Sequence, residues 1–125
     1  MLPNYQFKSI RSATALTDAY VAGTVITDAQ AYNRLFIDAY FTKGSLTNAK
    51  IKVEFSWDGT NYTQESYEDV SGGVSTVTLG DHTIAADGNY SFSLPIVTRN
   101  IKISAIGTGT VTDSSLKIDA RLGII

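Results

Sequence analysis

The stretch Ala49–Tyr62 constrains this chain more than any other. Ile51, Val53, Phe55 and Trp57 recur at every second position against Lys50, Lys52, Glu54 and Ser56, and Asp58-Gly59 follows at once. A period of two with polar residues between is the pattern of a strand half buried against a core. Asp-Gly after it signals a reverse turn, because glycine readily adopts the positive φ that such turns need. A helix would scatter these four apolar side chains around its circumference. The chain is therefore expected to be a β protein, with Trp57 continuing the apolar face and capping one end of the core.

The same grammar recurs along the sequence. Leu35, Ile37, Ala39 and Phe41 alternate with Arg34, Phe36, Asp38 and Tyr40; Tyr90, Phe92, Leu94 and Ile96 alternate with Ser91, Ser93 and Pro95. Near the C-terminus Ile101, Ile103 and Ala105 form one such set, and Leu116, Ile118, Ala120 and Leu122 form another. Shorter strands are expected over 14–21 and 24–27, broken at Gly23, over 62–68 as a charged edge, and over 74–79. Pro95 cannot donate to a ladder, so its strand ends there or lies at an edge. Residues 42–48 read as a loop joining two long strands. Those strands are expected to pair antiparallel and bring Tyr40 near Lys52.

About eight strands, with turn signals every 8–12 residues, predict an all-β fold, an antiparallel two-sheet β-sandwich of which the jelly roll is one form. Residues 14–125 are read as a single sandwich domain and residues 1–13 as an N-terminal arm or an edge strand. At 125 residues the chain can bury roughly two thirds of its unfolded surface without a staple.

Charge and composition exclude several classes of function. With no cysteine there is no disulfide, thiolate metal site or cysteine nucleophile. The net charge of −2, with the ten Lys and Arg spread along the chain, argues against nucleic acid as a partner. The first residues lack the basic and apolar regions of a secretory signal, and no apolar run approaches the length of a membrane span, so a soluble protein is expected.

Few residues suggest chemistry. His82, the only histidine, follows Asp81, and a hydrolase would need the two to cooperate with a nucleophile. Neighbours on a strand point to opposite faces, however, and Gly80–Thr83 reads as a turn. Asp58, Asn61, Glu68 and Asp69 are oxygen ligands of the kind calcium takes, but they lack the spacing of a calcium loop, and Asp58-Gly59 is already explained as a turn. No catalytic residue, metal or cofactor is expected. Trp57, Tyr62 and Tyr67 flank one hairpin and form a candidate platform for stacking on a sugar ring, set against their packing at the rim of the core.

The clearest functional signal is apolar surface in the wrong place. Phe36 and Tyr40 occupy the face of their strand that should meet water, which implies cover by a loop, by the N-terminal segment or by another subunit. Tyr5 and Phe7 near one terminus, and Ile124 and Ile125 at the other, join them as candidate interface residues.

In its order of motifs the chain resembles small β-sandwich virion structural proteins of tailed bacteriophages. The likeness runs over about residues 14–123. It rests on Thr14-Ala15-Leu16-Thr17 with Tyr20-Val21-Ala22-Gly23-Thr24-Val25-Ile26, on Tyr40-Phe41-Thr42-Lys43-Gly44-Ser45 and on Val53–Tyr62. Arg99-Asn100-Ile101-Lys102-Ile103-Ser104 and Gly107-Thr108-Gly109-Thr110-Val111-Thr112 complete it. The resemblance implies a non-enzymatic, homo-oligomeric capsid decoration or auxiliary head protein, made in the host cytoplasm and held on the capsid surface. Its partners would be the major capsid protein or other virion proteins. The alternative is a carbohydrate-binding or adhesin module of a tail fibre, using Trp57, Tyr62 and Tyr67.

Overall fold

Alternating apolar and polar side chains give each sheet one apolar face that must be buried against another layer, and in the computed structural model, which describes residues 5–125, that layer is a second sheet. The strands are β1 (Tyr5–Thr14), β2 (Val21–Ala22), β3 (Arg34–Thr42), β4 (Leu46–Ser56), β5 (Thr63–Gln64) and β6 (Ser66–Asp69). They continue with β7 (Thr76–Leu79), β8 (Asp81–Ile84), β9 (Gly88–Pro95), β10 (Asn100–Gly109) and β11 (Ser115–Gly123). Among the described residues no helix is long and apolar enough to cross a membrane.

One sheet runs β1-β11-β3-β9, and the other runs β2-β10-β4 with β5 and β8 both on the outer side of β4. Glu54 and Phe55 of β4 pair with β5, while Ala49 to Lys52 pair with β8. These two short strands are therefore consecutive pieces of one edge. The chain between them leaves the sandwich as a separate hairpin of β6 and β7. With β5 and β8 merged and the hairpin set aside, the strand orders are first-eighth-third-sixth and second-seventh-fourth-fifth. That is the order of a jelly roll.

Apolar positions of the four central strands fill the space between the sheets. Leu35, Ile37, Ala39 and Phe41 of β3 and Leu116, Ile118, Ala120 and Leu122 of β11 are buried from one side. Ala49, Ile51 and Val53 of β4 and Ile101, Ile103 and Ala105 of β10 are buried from the other. Each large aliphatic side chain here contributes about 1.5–3 kcal/mol of transfer free energy. At one open side of the sandwich, Phe92 lies opposite Ile37 and His82 opposite Ile51, and their rings stack across the gap at 4.1 Å.

Several expectations are corrected. The strands over 32–41 and 50–57 do not pair: β3 and β4 lie in different sheets, each flanked by strands from later in the chain. The turn between them crosses from sheet to sheet. Gly44 takes φ +57°, and Asp113 accepts hydrogen bonds from the Ser45 amide at 2.9 Å and its hydroxyl at 2.7 Å. Lys52 consequently lies over the ring of Tyr20, and the cation over Tyr40 is Lys117. The loop expected over 42–48 shrinks to Lys43–Ser45, since β4 begins at Leu46.

The strand expected over 14–21 is reduced to Val21–Ala22, because Leu16 turns into the core while its amide is satisfied by Ser114 Oγ at 3.0 Å. Residues 24–27 make only one bridge, Ile26 to Ile101. The segment over 74–79 becomes β7, outside the sandwich. Of the N-terminal segment read as an arm or an edge strand, residues 1–4 lie outside the described residues, and Tyr5–Thr14 is the edge strand β1. Pro95 ends β9, which is the opposite edge of that sheet.

Ile37, fully buried at the centre of β3, is expected to cost about 2–5 kcal/mol when cut to alanine, read as a lower urea midpoint at unchanged slope. Val97→Ala, at a position 66% exposed, is expected to stay within about 0.5 kcal/mol of wild type.

Candidate interaction face

The outward residues of the β1-β11-β3-β9 sheet stand in rows that the strand register dictates. One row holds Phe7, Arg121, Phe36 and Ser93 in order across the four strands. The next holds Ser9, Asp119, Asp38 and Ser91, and a third holds Lys117, Tyr40 and Asn89. Tyr5 and Arg34 flank Gly123 in a fourth. Tyr5 and Phe7 are 68% and 61% exposed and Tyr40 is 40% exposed, and no strand of the described residues lies over them. The second face of β3 is therefore an outer surface.

Its charges are arranged around the aromatics. The Arg121 guanidinium donates to Asp38 through two nitrogens, at 3.0 and 3.1 Å, and lies 5.2 Å from the Phe36 ring. This two-point geometry holds the cation flat, which suits stacking on an aromatic face. Lys117 sits 5.3 Å from the Tyr40 ring and 3.6 Å from Asp119. Asp119 and Asp38 face each other directly across the β11–β3 ladder, a like-charge pair that would be unfavourable without those two cations. Asp119 is nearly buried although it points outward, and its Oδ1 has no protein partner.

The C-terminal tail completes the face. Asn33 binds Ile125 twice, its side-chain amide donating to the Ile125 carbonyl and its Oδ1 accepting from the Ile125 amide, both at 3.0 Å. Ile124 and Ile125 stay 47% and 82% exposed, so they do not close the core. With Tyr5, Phe36, Arg121 and Gly123 they line an open groove of about 510 Å³. The six candidate interface residues thus lie on one side of the molecule: Tyr5, Phe36, Ile124 and Ile125 around the groove, Phe7 and Tyr40 beside it.

The candidate stacking residues do not form one platform. Trp57 lies beyond the end of β4 on a loop and is 66% exposed, so it does not cap the core. Tyr62 is covered by Lys102 at 4.2 Å, and Tyr67 belongs to the β6–β7 hairpin. Asp58 is committed to its turn: its Oδ1 accepts from the amides of Asn61 and Thr60 at 2.8 and 2.9 Å, and its Oδ2 accepts from the Asn61 side chain at 2.7 Å. Among the described residues no cluster of three His, Asp or Glu could hold a metal ion.

His82 is not in a turn but in β8, and its partner is Glu65 rather than Asp81, with Nε2 2.7 Å from Oε1. Asp81 instead accepts from Gln64 and Tyr20. Periodicity could not have found the Glu65 contact, which arises because β5 and β8 share one edge. Among the described residues no side-chain hydroxyl hydrogen-bonds the imidazole.

No family model matches the chain, and no curated protein matches it in sequence. Solved structures that it resembles include the PBSX exported protein XepA, with a TM-score of 0.66 at 10% identity over 96% of this chain and 37% of that one. Tripeptidyl peptidase 2 gives 0.57 at 10% identity over 95% and 10% of the two chains. Infectious bursal disease virus, Gx strain, gives 0.52 at 8% identity over 96% and 32%. The chain spans little more than a third of the length of the XepA chain it matches. At these identities the likeness is one of fold alone.

The backbone and side-chain donors around Asp58, led by the amides of Asn61 and Thr60, hold its carboxyl well below the ordinary range. Asp69 and Asp113 are lowered in the same way by Ser71 and Ser45. Below the unfolded value of about 3.9 the unfolded chain takes up protons that the folded chain refuses, so this stabilisation is complete above that pH and is lost as pH falls further. Asp58→Asn is therefore expected to lower the urea midpoint at pH 7 and to shrink its drop between pH 7 and pH 3. An unchanged drop would show that this carboxylate does not contribute to the acid limb.

Proposed function

We propose that the chain is a non-enzymatic structural protein of a bacteriophage virion, a capsid decoration or auxiliary head protein that adds to the shell and stabilises it by burying surface between subunits. The observation that carries this reading is the outer face bearing Tyr5, Phe7, Phe36 and Tyr40 among fixed cations, over which no strand of the described residues lies. Aromatic and Arg side chains are the groups that dominate protein interfaces, and a flat sheet face presents them rigidly. The jelly roll recurs in viral shells, and one neighbour of this fold comes from the structure of a virus. The resemblance carried by Val53–Tyr62 and the other motifs adds the phage setting.

Electron microscopy of the particle is expected to show this protein on the capsid lattice. Phe36→Ser with Tyr40→Ser should weaken its retention about tenfold or more while leaving the fold intact by circular dichroism. Density confined to the tail, or none in the virion, would reject the proposal.

A second reading is favoured by one observation, the exposed ring of Trp57 beside a groove of about 230 Å³ lined by Phe55, Asp58, Asn61, Thr63 and Thr98. It makes the chain a carbohydrate-binding module of a tail fibre. A glycan array decides it: binding abolished by Trp57→Ala is the expected outcome of this reading, and no binding at millimolar sugar sinks it.

A further inference from the structure

We infer that the aromatic face of one copy receives the β6–β7 hairpin of the next, so that the protein joins to itself head to tail. The inference rests on the face being an assembly surface and names its occupant. It starts from the interruption of the sandwich edge: the chain departs after β5 and returns at Gly80, whose amide donates to the Glu65 carbonyl at 2.8 Å. Between these points all eight strand residues of β6 and β7 are exposed. Tyr67, Val70, Val74, Val77 and Leu79 are each between 59% and 67% exposed. A two-stranded hairpin is marginal by itself in water, and apolar side chains at this density along it mark a surface that is covered in use. At its tip Gly72 and Gly73 both have positive φ, and a Cβ built on either meets nothing within 4 Å, so the whole ribbon stands clear of the sandwich.

Charge selects the occupant. Between Val53 and Thr98 the sequence has no Lys or Arg but seven carboxylates, and Glu68 and Asp69 lie on the hairpin itself. Two hairpins laid against each other would oppose like charges, which disfavours a symmetric hairpin-to-hairpin dimer. The exposed outer face of the β1-β11-β3-β9 sheet offers the complement: Arg34, Lys117 and Arg121 among Phe7, Phe36 and Tyr40. Side chains of Lys117 and Arg121 remain 48% and 43% exposed, although each is also held near an aspartate. An acidic, apolar ribbon thus meets an aromatic sheet face on a second copy of the same chain, where Arg34, Lys117 and Arg121 outnumber Asp38 and Asp119 by one and no carboxylate is left without a cation nearby. Because the two surfaces are different parts of the molecule, each copy gives one and receives one, and the contact propagates into a ring or an open array.

The test uses the full chain in sedimentation velocity at about 100 μM, where a micromolar contact is largely saturated. Wild type is expected to sediment as an oligomer. Val77→Asp with Leu79→Asp removes the apolar side chains that β7 contributes to the ribbon, and Phe36→Ser with Tyr40→Ser removes two aromatics of the receiving surface. Each double variant is expected to be folded and largely monomeric, with association weakened about a thousandfold or more. Mixed in equal amounts they should form heterodimers and nothing larger, since one intact ribbon meets one intact face. A monomeric wild type, a mixture that stays monomeric, or a hairpin variant with the wild-type mass would overturn the inference. Self-association without capsid density would fail the virion reading alone, and capsid density with a monomeric protein would fail this one alone.

Discussion

The rest of this fold depends on the last strand being laid between the first and the third. β11 is hydrogen-bonded to β1 on one side and to β3 on the other. Its inward residues Leu116, Ile118, Ala120 and Leu122 are all buried. Without it β1 would have no neighbour and β3 would keep only β9. The pairing joins Tyr5 to Gly123, nearly the whole chain apart, so its closure entropy must be met before most of the core can form. Folding dominated by such non-local pairing is slow compared with that of chains built from local contacts.

That same strand organises the outer surface. Lys117, Asp119 and Arg121 stand on its other side, between β1 and β3, so the alternation that places four aliphatics in the core also places a charged stripe at the middle of the exposed face. The pairing of Arg121 with Asp38 is partly exposed and adds at most about 1 kcal/mol to stability. Its larger effect is geometric, since the guanidinium plane is held fixed and less side-chain entropy would be lost in any contact made to it.

The sequence made the faces legible but not the neighbours. Alternation correctly assigned Ile37 and Ile51 to the core and Phe36 and Tyr40 to the second side, because side-chain direction is a local property of extended backbone. It could not tell that β3 and β4, adjacent along the chain, lie in opposite sheets, since pairing is decided by distant strands of similar pattern. Trp57 keeps the period of β4 one residue past the end of that strand at Ser56, where the turn held by Asp58 begins, and so looked buried when it is not. Val77 and Leu79 carry the pattern of a weak core strand, yet β7 pairs only with β6. The candidate interface residues at the two termini were recognisable in the sequence as apolar side chains, and the structure leaves Tyr5, Phe7, Ile124 and Ile125 exposed. Their convergence around Arg121 required the register.

The split edge strand has a consequence for how such a chain can change over time. β5 and β8 meet β4 at neighbouring positions, and the segment between them departs at Glu65 and returns at Gly80, which are hydrogen-bonded to each other at its base. Its length and sequence are therefore uncoupled from the core: a longer, shorter or chemically different ribbon could be exchanged there without disturbing a strand register. The jelly roll would then act as a constant platform with a replaceable cassette. Chains sharing this sandwich could diverge in what they join to while keeping the same interior.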